Sequence, residues 1–470
     1  MLAVLLRGLG GRGVGFGSGF EWWHYPLTAC RAILTYLSLA VWPHPLVFDY
    51  GVDLGGPGIP EFVCAGLVLG LAGLTVVGWW RSPPLGFLAA WFFITLAPTS
   101  SIVPIPLQPI AENRVYLPLA GVVALLVWFI HLAARKISRL LWLALAVALG
   151  ALTLARNTDY RSDIALWSDT VAKKPLSSRA HQNLGAAFNS RRDPALLADA
   201  GRHFSEALRL KPDYAEAMAA VGGILARQGR LEEGIEHCRN AIRLDPRTAE
   251  AYNNLGGALW EKRDLAGAIE AYDAAAQLRP GFTEAYVNLA NVLLQAGRMA
   301  EAIQAGEAAL RRSPHLVDAR FSLGCALTGV GRQEEAARAF QEVLRIQPNH
   351  PDARYNLATT LHQLGRVPEA IPHYEKVLQG NPRHAPALSN LASALLFSGR
   401  LAEAAARAEA AIQVKPDFAD AHSNLGLALR RSGKLAEAAA SFEAALRHNP
   451  DLALARTQLD EIRRGTPASR

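Results

Sequence analysis

The sequence predicts an all-α chain in which polytopic transmembrane helices precede an α-solenoid, a right-handed superhelix of helical hairpins. Three observations carry this prediction. Proline recurs every 34 residues through the second half, at Pro212, Pro246, Pro280, Pro314, Pro348, Pro382, Pro416 and Pro450. Composition changes sharply near residue 156, from apolar, aromatic and charge-poor to a mixture of Ala, Leu, Arg and Glu. Apolar residues run continuously before that point and recur at amphipathic-helix spacing after it.

The N-terminal part, residues 1–156, reads as a transmembrane module of about four spanning helices. Its first twenty residues lack the basic start, long apolar stretch and cleavage site of a signal peptide. Ala29 to Trp42, with Arg31 inside it, reads either as a crossing or as a segment lying along the interface. Phe62 to Trp80 is uncharged and, at about 19 residues, covers roughly 30 Å of hydrocarbon. Leu85 to Ala97, Val115 to Ala134 and Leu140 to Ala155 supply the other crossings. Arg81, Arg135, Lys136 and Arg139 mark cytoplasmic loops, which puts everything after Ala155 on the non-cytoplasmic side of a bacterial-type inner membrane, with Arg156 and Arg161 counting against that orientation.

A junction helix is expected within residues 157–177, eight repeats over residues 178–450, and a capping helix with a frayed tail over residues 451–470. Each repeat reads as helix, turn, helix, proline. In the unit ending at Pro280, Tyr252, Leu255, Gly256 and Leu259 stripe the first helix, and Ala268, Tyr272 and Ala275 stripe the second. Small Gly256 and Ala268 permit close approach, with the aromatic filling the hole beside them. Gly229, Gly297, Gly331, Gly365, Gly399 and Gly433 occupy the turn between helices, where a left-handed backbone is needed; Arg263 stands at that place in its own unit. Glu216, Glu250, Glu284, Asp318, Asp352 and Asp420 fall in the first turn of the leading helices, a structural role that complements the helix dipole. Three extra residues are expected in the first unit, around Arg191 to Pro194.

A period of 34 with these positions is identified with the tetratricopeptide repeat, two antiparallel helices per unit. Asn183, Asn254, Asn288, Asn356, Asn390 and Asn424 share one place in six of the eight units, interrupted by Ala220 and Ser322. With leading helices lining a concave wall, this row of carboxamides offers a donor and an acceptor per step to an extended peptide backbone. The arrangement resembles the asparagine ladder of the O-linked N-acetylglucosamine transferase. Asparagine is also common at this place in ordinary repeats, so a peptide-binding use and a family habit both remain open. Trp260, His362 and Phe397 lie between the asparagines as candidate specificity residues.

The membrane residues carry a second resemblance. Thr28 through Leu37 running into Trp42-Pro43-His44-Pro45 and Asp49-Tyr50, then Ala97 to Ser101 running into Glu112-Asn113-Arg114-Val115-Tyr116-Leu117-Pro118, then Arg156-Asn157 through Trp167, resemble the transmembrane and tetratricopeptide O-mannosyltransferase-like proteins. That family implies a lipid-linked-sugar glycosyltransferase whose catalytic acidic residues sit in an early outer loop. Nothing in this chain matches that loop, so the resemblance is to the C-terminal half, either of a gene read from a late start or of a degenerate anchor. Glu112 and Arg114 are candidate contacts for a lipid phosphate, or a pair that fixes a helix end. His44 and Asp49 beside prolines carry less weight.

Composition excludes several classes. The formal charge is +7 with a pI near 9.3, but the arginines are scattered, which argues against a nucleic-acid partner. Cys30, Cys64, Cys238 and Cys325 form no CxxC pair and imply neither a disulfide framework nor a metal site. No phosphate loop, H-E-x-x-H or G-x-S-x-G occurs in the repeats, and no cofactor is implied. Two readings follow. The first is a membrane-anchored scaffold that binds protein or extended peptide in its groove. The alternative is a truncated protein O-glycosyltransferase whose repeats recruit the acceptor, with membrane lipid, and through the family resemblance a lipid-linked sugar, as further partners.

Overall fold

A computed structural model describes residues 61–100, 161–191 and 193–465, together with single positions at 30, 33, 34, 37, 124, 147 and 151. Single positions apart, the expected segments Ala29–Trp42, Val115–Ala134 and Leu140–Ala155 lie outside the described residues, as do His44, Asp49, Glu112 and Arg114. The described residues form twenty helices. The chain divides into two compact units, residues 1–224 and 225–470.

In the first unit, α1 (Glu61–Arg81) and α2 (Pro83–Ser100) form a tight hairpin. A Cβ added to Gly86 would meet the Trp79 backbone at 2.3 Å, so glycine is required where α2 crosses the end of α1. Among the described residues, one helix is long and apolar enough to cross a membrane: Phe62–Arg81, 20 residues with mean hydropathy 2.1 and 11% of its apolar window buried. Phe62 and Trp80, 73% and 83% exposed, belong to this uncovered surface. The polytopic expectation therefore has one described span behind it, with the apolar Pro83–Phe93 stretch beside it shorter than a crossing.

The junction helix α3 (Asp163–Lys173) is capped by Ser162, whose hydroxyl accepts from the Ala165 N–H at 3.1 Å. The first hairpin follows as α4 (Ser178–Ser190) and α5 (Pro194–Leu210), capped by Ser177 and Asp193. The three residues beyond the repeat length, expected around Arg191 to Pro194, fall inside the following helix. They lengthen α5 to 17 residues, against 14 in later trailing helices, because Asp193 caps and Pro194 starts the helix without delay. Helix α6 (Ala215–Arg227) runs across residue 224.

The second unit continues with α7 (Leu231–Leu244) and then regular hairpins. These are α8 (Ala249–Glu261) with α9 (Leu265–Leu278), α10 (Thr283–Gln295) with α11 (Met299–Arg312), and α12 (Val317–Gly329) with α13 (Gln333–Ile346). The series continues with α14 (Pro351–Gln363) and α15 (Val367–Gly380), α16 (Ala385–Phe397) and α17 (Leu401–Val414), and α18 (Ala419–Arg431) and α19 (Leu435–His448). Helix α20 (Ala453–Arg463) closes the array.

The recurring proline has a local cause. The residue before each proline accepts from the N–H three positions on, as in Thr248 to Asp245 at 3.1 Å and Phe282 to Arg279 at 2.8 Å. Proline thus sits at the second place of a four-residue turn, where its fixed φ fits and its missing N–H ends the preceding helix. The turn inside each hairpin is a Schellman closure: the Arg298 N–H reaches the Leu293 carbonyl at 2.9 Å across Gly297, which has φ +73°. Arg263 adopts φ +69° and keeps the same closure, with Asp264 N–H bonded to the Leu259 carbonyl at 2.9 Å.

The core between paired helices is built on a small residue facing an aromatic. A Cβ on Gly256, Gly324 or Gly426 would come within 2.6–2.8 Å of the ring of Tyr272, Phe340 or Phe442. These three rings are at most 2% exposed. Successive leading helices also touch one another, α10 with α12 and α16 with α18 most closely, whereas the trailing helices stand apart from each other. The leading helices therefore form the inner layer of the second unit and the trailing helices its outer layer. At its end, Arg430 is 4% exposed and donates to Glu461 Oε2 at 2.6 Å and to Gln458, fastening α20 onto α18.

Candidate functional site

The asparagine positions lie on the leading helices and are all half-buried. Four make bonds that sequence reading did not anticipate. Asn288 Nδ2 donates to Asn253 Oδ1 at 3.0 Å, Asn390 Nδ2 to the Tyr355 hydroxyl at 3.1 Å, and Asn424 Nδ2 to Ser389 O and Oγ at 3.0 and 3.1 Å. Asn356 Nδ2 approaches Cys325 Sγ at 3.8 Å. Each partner belongs to the preceding leading helix. The carboxamide is therefore first a strap between adjacent repeats, and its nitrogen is not wholly open to a ligand as the sequence reading had it. What remains is the carbonyl oxygen and the second amide hydrogen. The Oδ1 atoms of Asn288, Asn356, Asn390 and Asn424 accept no hydrogen bond within the described chain.

The supposed interruption at Ser322 is not a gap in this strapping. Its hydroxyl lies within hydrogen-bond distance of Asn291 Oδ1 on the preceding leading helix, and of its own Asp318 carbonyl at 2.9 Å. In the first unit, Asn183 is half-buried on α4, while Ala220 packs against the Phe204 cluster and offers no polar group. Asn254 on α8 is half-buried as well.

The three residues between the asparagines separate in role. Trp260 donates its indole N–H to Gln295 on the next leading helix, a further strap. His362 packs edge-on against Tyr374, with centroids 6.3 Å apart, and burial pulls its pKa below the ordinary imidazole value, so it is neutral near pH 7. Phe397 at the end of α16 is 72% exposed and presents a free aromatic surface. Around the row the titration chemistry is quiet. Burial pushes the Cys325 thiol up to about 11 and Tyr374 up to about 12, so neither ionises near neutrality.

Two further regularities were missed in the sequence. In four of the eight units a basic residue stands two places before the asparagine position and bonds back to the proline carbonyl that precedes its helix: His181 to Pro175 at 3.1 Å, Arg320 to Pro314 at 2.5 Å, His422 to Pro416 at 2.9 Å, and Arg354 to Pro348. The residue after each turn glycine pairs with a glutamate three residues on, as Arg366 with Glu369 and Arg400 with Glu403, and each guanidinium holds its carboxyl below the usual range. The signal for both was present as spacing, but neither partner is apparent until the helix starts are fixed.

Family models of the tetratricopeptide repeat match residues 321–385 and 389–464, 282–349, and 249–282, and a TPR-repeat model matches residues 222–263. Among curated proteins, none matches the chain. Solved structures with similarity include YrrB, described as a TPR protein with an unusual peptide-binding site. It is 25% identical over 40% of this chain and 98% of its own, with a TM-score of 0.37. The Cut9–Hcn1 hetero-tetramer of the APC/C is 17% identical over 61% and 56%, with a TM-score of 0.44. MamA of Desulfovibrio magneticus RS-1 is 23% identical over 36% and 97%, with a TM-score of 0.35.

Proposed function

We propose, on the premise that this chain is a tetratricopeptide-repeat protein, that its inner layer holds an extended polypeptide and that its apolar N-terminal part tethers this scaffold to a membrane. The reading is carried by one observation: the row of half-buried carboxamides at Asn288, Asn356, Asn390 and Asn424, whose carbonyl oxygens accept no hydrogen bond among the described residues. Adjacent packed helices stand about 8–10 Å apart. An extended chain advances roughly 3.3 Å per residue, so one carbonyl falls opposite about every third residue of the ligand. Backbone N–H groups of the ligand donate to these oxygens, which makes the recognition tolerant of ligand sequence. Phe397 adds a place for an apolar side chain at one edge.

The test is a triple replacement of Asn288, Asn356 and Asn390 by Ala, read by peptide affinity and stability together. Because these side chains also strap the repeats, the change costs about 0.5–1.5 kcal/mol of stability per site. Affinity for an extended neutral peptide falls at least tenfold while far-UV circular dichroism at 25 °C is retained. An unchanged dissociation constant would leave the asparagines with a purely structural role.

Membrane tethering is supported by the length and hydropathy of Phe62–Arg81. The loop cations favour an orientation with the repeats on the non-cytoplasmic side, in which a reporter fused after Arg470 is active outside the cytoplasm; cytoplasmic activity reverses the orientation. Lipid contact at Glu112 and Arg114 belongs to the same reading. The glycosyltransferase alternative rests on the family resemblance of the membrane residues alone, and transfer of a lipid-linked sugar to protein by the purified chain would establish it.

A further inference from the structure

The inner layer of the second unit has a charge character opposite to that of the whole chain. The sequence carries a formal charge of +7. The six leading helices α8, α10, α12, α14, α16 and α18 carry six carboxylates and four guanidiniums. All four guanidiniums are engaged. Arg320 and Arg354 bond to proline carbonyls, Arg430 is buried against Glu461, and Arg431 donates to the Leu396 carbonyl at 2.9 Å. By contrast Asp318, Asp352 and Asp420 are exposed in the first turns of α12, α14 and α18 and enter no salt bridge among the described residues. They stand four residues, about one helical turn, before Ser322, Asn356 and Asn424, so they edge the same face as the carboxamide row. Glu250, at the equivalent place on α8, is already neutralised by Arg279 at 2.5 Å.

An acidic ligand would meet exposed carboxylates on this face, while the guanidiniums keep their charge but have donors already held by backbone carbonyls or by Glu461. A ligand rich in Lys or Arg meets complementary charge beside a row of carbonyl acceptors. Resting on the reading of this face as a peptide groove, we propose that its occupant is a basic polypeptide whose extended, polyproline-II-like segment presents Lys or Arg about every third residue to the edge marked by Asp318 and Asp352. The spacing follows from the helix separation of about 10 Å against a rise of roughly 3.1 Å per residue, with every third side chain returning to the same side. Pro386 stands where the next acidic residue would be, so the charged register breaks at the start of α16.

The experiment uses the full chain in zwitterionic detergent and four labelled peptides of equal length, measured by fluorescence anisotropy. One carries Lys at every third position among serines, one carries the same lysines in a single block, one carries Glu at every third position, and one is uncharged. The spaced Lys peptide binds tightest, and D318N/D352N weakens it about fivefold while the uncharged peptide is unaffected, in keeping with two exposed charge pairs. Raising salt weakens the spaced Lys peptide in the same way. E250Q, at the residue already paired with Arg279, leaves binding unchanged and separates a ligand contact from a general effect of helix-start charge. Equal binding of the Glu peptide, equal binding of the blocked Lys peptide, or no response to D318N/D352N overturns the inference. The two levels fail separately. If the uncharged peptide binds and is lost on replacing Asn288, Asn356 and Asn390, the groove stands without the charge preference; if no peptide responds to those replacements, the groove reading itself fails.

Discussion

Replacing Arg263 by glycine tests the backbone argument at the one described position where this array departs from its own rule. Among the described residues, Arg263 alone of the non-glycine residues has positive φ, at +69°, where the matching turns use glycine at +73° to +82°. A left-handed conformation costs a residue with a Cβ about 1–2 kcal/mol. Glycine removes that cost but gives the unfolded chain more freedom, which takes back about 0.4–1 kcal/mol. The Arg263 side chain is exposed, and the neighbouring cap, Asp264 accepting from the Gly267 N–H at 2.9 Å, is untouched by the change. The net expectation is a gain of about 0.5–1 kcal/mol. Repeat arrays respond locally, so native-state hydrogen exchange is the assay: amides of α8 and α9 slow by about two- to fivefold while α16 and α17 change little. Arg263→Ala keeps the Cβ and gives no slowing. If the glycine variant exchanges as fast as the parent, or the alanine variant matches it, the strain argument is wrong.

Three other outcomes follow from the packing and the titratable groups. Gly324→Ala brings a Cβ to 2.6 Å from Phe340 and destabilises α12 and α13 by about 1–3 kcal/mol, measured by urea unfolding. A neutral result would mean that the two helices can move apart enough to admit the methyl group. His181 and His203 approach Nδ1 to Nδ1 at 3.0 Å; burial and the neighbouring His181 lower the His203 pKa, Arg202 also lowering it and Asp199 and Glu206 opposing. A depressed folded pKa means that the unfolded chain binds more protons, so the first hairpin is fully stabilised above about pH 6.5 and loses stability as pH falls below it. Melting the protein between pH 7.5 and 5 shows that loss, and His203→Gln flattens it; an unaltered slope in the variant would assign the dependence elsewhere. Iodoacetamide at pH 8 leaves Cys325 unlabelled in the folded chain, because its thiol is pushed up to about 11, whereas the unfolded chain reacts.

Much of the array was legible because its signals are local. The proline period marks a turn whose second residue needs a fixed φ, and the glycine period marks a left-handed closure; both are decided within a few residues. Arg263 could be placed in the glycine column for the same reason. The close packing of Gly256 on Tyr272 followed from helical spacing plus side-chain volume. The asparagine row was legible as a position, but its strapping bonds were not. Asn288 reaches Asn253 and Asn424 reaches Ser389, each 35 residues back, and that offset depends on how one hairpin leans on the next. The lengthening of α5 was expected around Arg191 to Pro194 because the sequence count does not say on which side of Asp193 an insertion is absorbed. In the apolar N-terminal part, hydropathy alone pointed to a helix over Phe62 to Trp80, and α1 runs from Glu61 to Arg81.

The most direct measurement is site-specific photo-crosslinking of a bound extended peptide to the intact chain. A photoactivatable residue placed at Ser393, half-buried on the inner leading helix α16, captures the peptide, and one placed at Gln341, exposed on the outer helix α13, does not. Capture at Gln341 equal to or above that at Ser393 would contradict binding on the inner face.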